Sequence, residues 1–149
     1  MTISQSKLNL VEFKDVKEPW NEYKLEDGST LRVKIILKNL IKEAEGSYKL
    51  GTSNVISVWK PNPDFMGLPS PPLKEGENME SYIEAEDLQI LSQTEHWNEY
   101  EVPSENMILK LRGAVVTVSR TNRHDAEGFP IYIANIQLLI KTQKTKGIS

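Results

Sequence analysis

The tetrapeptide Trp-Asn-Glu-Tyr occurs twice in this chain, as Trp20-Asn21-Glu22-Tyr23 and as Trp97-Asn98-Glu99-Tyr100. A four-residue identity arises by chance at roughly the few-per-cent level in a chain of this length, so its flanks decide what it means. Upstream, Leu8-Asn9-Leu10-Val11 has the pattern of Leu88-Gln89-Ile90-Leu91. Downstream, after a one-residue shift, Leu31-Arg32-Val33-Lys34 matches Leu109-Lys110-Leu111-Arg112. Further on, Ser53-Asn54-Val55 resembles Ala134-Asn135-Ile136, and Lys60 answers Lys141. The gaps fall in expected loops, where insertions are tolerated. The pattern is that of an internal duplication. A copy of about 55 residues is marginal alone, so two copies are expected to share a core.

The local signals are those of strands. At residues 31–37 the odd positions Leu31, Val33, Ile35 and Leu37 are apolar, while Arg32, Lys34 and Lys38 fall on the other face. A period of two marks a half-buried strand, here with a basic outer face. The pattern blurs through Asn39, Leu40 and Ile41, which predicts a bulge or bend, with a helix over 36–45 as the competing assignment. Residues 8–13 read as a first strand after a frayed 1–7, residues 14–19 as a polar connector, and residues 26–29 as a turn around Gly28. Tyr48 to Leu50 reads as a short strand, turned by residues 51–54 into a second one at 55–59. In the second copy, residues 107–119 repeat the long strand, with Leu109, Leu111 and Val115 on the equivalent face. Gly113 stands where the first copy has Ile35; a glycine inside a strand marks a bulge, a bend or a close backbone approach. The last strand, 131–140, is apolar on both faces, so it is expected to be central or covered by a partner.

The expected fold is therefore all-β, with internally duplicated small β-barrel or sandwich units related by a pseudo-two-fold and a long proline-rich connector between them. The boundaries are residues 1–60 for the first repeat, 61–87 for the connector, 88–141 for the second repeat and 142–149 for a polar tail. The connector carries Pro61, Pro63, Pro69, Pro71 and Pro72, a composition that resists regular structure. It reads as a strap over the surface, pinned by Phe65, Met66 and Leu68, or else as a lid or a proline-rich ligand.

Charge is unevenly spread. Residues 1–59 carry a net +1, residues 60–105 a net -9 and residues 106–149 a net +5. Complementary patches of this kind fold against each other within one molecule, bring molecules together, or give one face affinity for a polyanion. There is no cysteine, which removes disulfides, thiolate nucleophiles and cysteine zinc sites. No run approaches a membrane span, and residues 1–7 lack the apolar stretch of a signal peptide, so a cytoplasmic location is expected.

Candidate functional residues are few. The segment 120–130, with Arg120, Arg123 and His124, reads as a long basic loop present in one copy only, where arginines can fork onto phosphate or carboxylate. The basic strand faces supply Arg32 and Lys34 in one copy and Lys110 and Arg112 in the other. The repeated tryptophan and tyrosine are expected to cap each unit's core. Adjacent His124 and Asp125 do not form a catalytic pair, because alternation along extended backbone points them apart. No cofactor and no metal site are expected. The sequence thus predicts a non-catalytic interaction or assembly module whose partner is a second copy or another protein, not a membrane. The alternative is a single-stranded nucleic-acid binder using the basic faces and the 120–130 loop. A hydrolase or small-ligand binder with a pocket between the repeats comes third.

Overall fold

The computed structural model describes residues 9–44 and 46–145. The expectations for 1–7 and Leu8, and for the tail from Lys146 onward, lie outside the described residues. The order is β1 (Lys14–Lys17), β2 (Asn21–Leu25), β3 (Thr30–Ala44), β4 (Ser47–Lys60), β5 (Ile83–Ala85), β6 (Ile90–Thr94), β7 (Asn98–Val102), β8 (Met107–His124) and β9 (Pro130–Lys144). The only helices among the described residues are 3-10 turns of three or four residues.

The strands form two antiparallel sheets. In the first, the order is β4-β3-β2-β6; in the second, β8 carries β9 along one side and both β7 and β5 along the other, with β1 beyond β7. Each sheet is built on one long hairpin, β3–β4 or β8–β9, and each borrows one strand from the other half of the chain. β6 pairs with β2, and β1 pairs with β7. Alternation puts Leu31, Val33, Ile35 and Leu37 of β3, and Leu109, Leu111 and Val115 of β8, into one common core with Tyr23, Tyr100, Val102 and Val118. Each such aliphatic side chain contributes about 1.5–3 kcal/mol of burial. Among the described residues β4 and β9 share no ladder, so neither sheet closes into a barrel. The two sheets face each other, open along the side where β4 and β9 lie.

Several local expectations are corrected. Residues 14–17 form a strand rather than a connector, because Lys14 and Lys17 lie opposite Glu101 and Glu99 on β7 and the opposed charges suit cross-strand neighbours. The segment expected as a first strand makes only the bridge between Leu10 and Ile41. The helix alternative over 36–45 is overturned: β3 runs through it, with the expected bulge between Leu37 and Asn39. β4 passes straight through 51–54 without turning. Gly51 lies against the Asn39 side chain that the bulge displaces, where a Cβ would sit 2.3 Å from Asn39 Oδ1, so its glycine serves close packing and not a turn. The connector contains β5 and two 3-10 turns, and β9 continues through the start of the expected tail. β9 is not central. Its only partner among the described residues is β8, so this doubly apolar strand is a sheet edge.

At Gly113 the close approach is explicit. A Cβ there would lie 2.8 Å from Cγ1 and Cδ1 of Ile35, so an isoleucine on one central strand fills the space left by the glycine on the other.

Candidate functional site

The repeated tetrapeptide is where the chain crosses between sheets, from β1 to β2 and from β6 to β7. Its asparagine and tyrosine turn inward and bond across the core. Asn21 donates to the Gly113 carbonyl at 3.2 Å, and Asn98 to the Ile35 carbonyl at 2.7 Å. Tyr23 donates to Glu95 at 2.6 Å, and Tyr100 to Glu18 at 2.6 Å. Burial, reinforced by the facing carboxylate, pushes both phenols well above their ordinary range. The two carboxylates are thus committed to holding the sheets together. The expectation of a core cap holds for the tyrosines, both fully buried. The tryptophans point outward. Glu18 and Glu95 were missed at the sequence level, although each sits two residues before its tryptophan, which extends the repeat to Glu-x-Trp-Asn-Glu-Tyr.

The segment expected as a basic loop is largely strand. β8 runs to His124, and only residues 125–129 turn the chain, with the Asp125 carboxylate accepting from the amides of Glu127 and Phe129. Arg120 is buried. It donates to Asp27 at 2.8 Å, stacks 3.6 Å over the Phe65 ring and lies 3.7 Å from Glu84. Tyr132 also donates to Asp27, at 2.7 Å, and burial raises its phenol above the usual range. Arg123 bonds the Pro71 carbonyl and lies over Tyr82. His124 meets the Phe65 carbonyl at 2.8 Å, and its amide donates to Ser70. These three residues therefore clamp the connector onto the end of β8. The connector is a strap held by Phe65 and by its backbone, while Leu68 remains 87% exposed. Gly67 and Gly128 meet backbone to backbone, where a Cβ on Gly128 would lie 2.6 Å from the Gly67 carbonyl oxygen. Asp27, the hub of this cluster, was not singled out from sequence; a carboxylate in an Asp-Gly turn reads as a solvated tip.

The other four candidates lie on the two outer faces, which are on opposite sides of the molecule. Arg32 is placed 3.9 Å over the Trp59 ring and 5.9 Å from Trp20, with Lys34 5.6 Å from Trp20. Arg112 lies 4.9 Å from Trp97, with Lys141 at 5.8 Å. Each face holds carboxylates too: Glu22 is 3.5 Å from Arg32, Glu99 is 3.7 Å from Lys110, and Glu95 is 3.9 Å from Arg112. The structure thus separates the seven candidates into one buried clamp and two exposed faces, and does not bring them together.

The third surface is the open side between β4 and β9. A cavity of about 300 Å³ at one end is lined by Ile56, Val58, Phe129 and Tyr132 with Asp125 and Glu127 at its margin. At the other end the β3–β4 hairpin reaches the opposite sheet through Lys42 and Glu105, 2.9 Å apart, and a Tyr48–Glu105 hydrogen bond. Among the described residues no cluster of histidine and carboxylate side chains is placed to hold a metal ion. No described helix is long and apolar enough to cross a membrane. Compared with known protein families, curated proteins and solved structures, the chain matches none of them.

Proposed function

We propose that this chain is a non-catalytic assembly module, built by internal duplication, that associates with a second copy through the edge strand β9. The observation that carries the reading is an edge strand of 15 residues whose stretch 130–140 is largely apolar on both faces, with Asn135 and Gln137 as its polar positions. Strands of five or six residues are the usual length, and natural edges are kept short, charged or covered. Here Ile131, Ile133 and Leu139 fall on one face and Ala134, Ile136, Leu138 and Ile140 on the other, with Ile140 53% exposed. Antiparallel pairing of β9 with its own symmetry mate satisfies the free amides and carbonyls of both copies and gives a closed two-fold dimer.

The duplication is supported by the matched bonds from the two tetrapeptides. Asn21 and Asn98 reach equivalent carbonyls on the opposite central strands, and Tyr23 and Tyr100 reach equivalent glutamates. On this reading residues 1–60 and 88–141 are the repeats, related by a pseudo-two-fold between β3 and β8. The non-catalytic part rests on use: Glu18, Glu95, Asp27, Arg120 and His124 each make a hydrogen bond that holds sheets or strap together. A cytoplasmic location belongs to the same proposal and rests on the cysteine-free sequence.

Light scattering across the micromolar range tests the proposal. A dimer is expected, and Ile140→Lys, which adds a charge to the edge, is expected to shift it to monomer. A strict monomer at all concentrations overturns the reading.

A further inference from the structure

We infer that the outer face of the first sheet is a binding site for single-stranded nucleic acid, with Trp20, Trp59 and Arg32 receiving bases and Lys24, Lys34 and Lys38 receiving phosphates. The site is a sheet face, separate from the β9 edge, and does not depend on the assembly reading.

Three observations converge on this face. The first is an aromatic–cation stack: the Arg32 guanidinium is 3.9 Å from the Trp59 ring centre and within 5.9 Å of Trp20. Trp59 is 49% exposed, so a large apolar ring stands in water beside Val58, the neighbour that packs against the core. Base-on-aromatic stacking is the sequence-tolerant interaction by which β-sheet proteins hold single strands. The second is charge. Along β2 and residues 30–38 of β3 the outward positions carry Lys24, Arg32, Lys34 and Lys38, with Ile36 among them, against a single carboxylate, Glu22, and the opposing outward positions Ser53, Val55 and Ser57 on β4 are uncharged. Among the described residues Lys24, Lys34 and Lys38 make no ion pair. Their charge is therefore available to a ligand, and carboxylates farther off than about 8 Å are screened from it at physiological salt.

The third observation is the contrast with the other face. There Lys110 and Arg112 stand 3.7 and 3.9 Å from Glu99 and Glu95, Lys14 and Lys17 lie opposite Glu101 and Glu99 so that charges of both signs interleave, and Ile140 occupies the place before the matched lysine that Trp59 holds in the first half. If the two halves arose as copies, one face kept or gained a second tryptophan and the other did not. The 120–130 segment takes no part, since its arginines are buried in the strap clamp.

The geometry sets the size of the ligand. Arg32 to Lys38 spans six residues of strand, or about 20 Å, which suits a site of about four nucleotides, at the low end for such folds. Contact with three or four phosphates predicts a slope of log K against log salt of about -2 to -3.

The test is tryptophan fluorescence titration with a short oligo(dT), at low and at raised salt, beside duplex DNA and poly-glutamate as competitors of matched charge. The expected result is quenching by oligo(dT) with that salt slope, weaker binding of duplex and none of poly-glutamate. Trp59→Ala is expected to weaken oligo(dT) binding by roughly 5- to 100-fold while leaving the far-UV spectrum intact, because the side chain is half exposed. Lys34→Glu with Lys38→Glu is expected to abolish it at moderate salt. Absence of binding at low salt overturns the inference. Equal binding of poly-glutamate overturns it in favour of an acidic-peptide site, and equal binding of duplex removes the stacking role. An unchanged affinity in Trp59→Ala does the same.

Discussion

Replacing Gly113 by alanine tests how the two sheets meet. The added methyl carbon would lie 2.8 Å from two carbons of Ile35 and 3.2 Å from Cγ2 of Ile136. Carbon pairs rest at about 3.5–4.0 Å, so Ile35 must retreat by roughly 0.7 Å or more. Overpacking of a filled core costs about 1–3 kcal/mol. Restricting the unfolded chain by removing a glycine returns about 0.4–1 kcal/mol. The net destabilisation expected for Gly113→Ala is therefore about 1 kcal/mol. Ile35→Ala by itself leaves a cavity and is expected to cost about 2–5 kcal/mol. In the double variant the new methyl enters the vacated space, so the combined loss should fall short of the sum by about 1–2 kcal/mol, well above the additivity error of about 0.5 kcal/mol. Urea unfolding followed by tryptophan fluorescence measures all three. A Gly113→Ala protein as stable as the parent, or a double variant that is simply additive, refutes the packing of β3 on β8 through this pair.

Three further predictions follow from the polar interior. Tyr23→Phe and Tyr100→Phe each strip the donor from a glutamate that faces the core, and each is expected to lose about 1–3 kcal/mol in urea unfolding; a large inequality between them contradicts equivalent roles. Asp27→Asn removes the nearer carboxylate from Arg120, whose side chain is only 10% exposed, and leaves Glu84 at 3.7 Å, so a loss of about 1–3 kcal/mol is expected. The same change should speed proteolysis within the strap at Lys74, and unchanged cleavage speaks against the clamp. Alkaline titration by ultraviolet absorbance should show Tyr23, Tyr100 and Tyr132 ionising only as the fold opens. Because their folded-state values are raised, the stability they contribute is fully present below the ordinary phenol value of about 10 and declines as pH climbs above it. Normal ionisation of all five tyrosines in the folded protein contradicts this.

The long hairpins were legible because alternation carries its own structural meaning: Leu31 to Leu37 and Leu109 to Val115 could bury only one face. The bulge after Leu37 was legible for the same reason, as a loss of phase. Exchange of β1 and β6 between sheets was not. Residues 14–17 are charged at both ends and look like a linker until Glu99 and Glu101 are brought beside them. The nature of 120–124 was hidden too, since two arginines and a histidine read as solvent-facing, and only tertiary partners, Asp27, Phe65 and Pro71, make them interior. Trp59 looked like an ordinary strand residue; it shares the outer face with Ser57, which pairs with Arg32, and only that pairing brings the ring beside the guanidinium. Gly113 was marked as a bulge, a bend or a close backbone approach, and the chain alone does not choose among them; what approaches is the side chain of Ile35.

The most direct test of the assembly claim is amide hydrogen exchange along β9 at low and high protein concentration. Alternate amides between Ile131 and Lys141 that do not bond to β8 should exchange quickly when dilute and become protected as concentration rises, while the amides facing β8 stay protected throughout. Rapid exchange of those outward amides at every concentration would contradict the proposal that β9 pairs with a second copy.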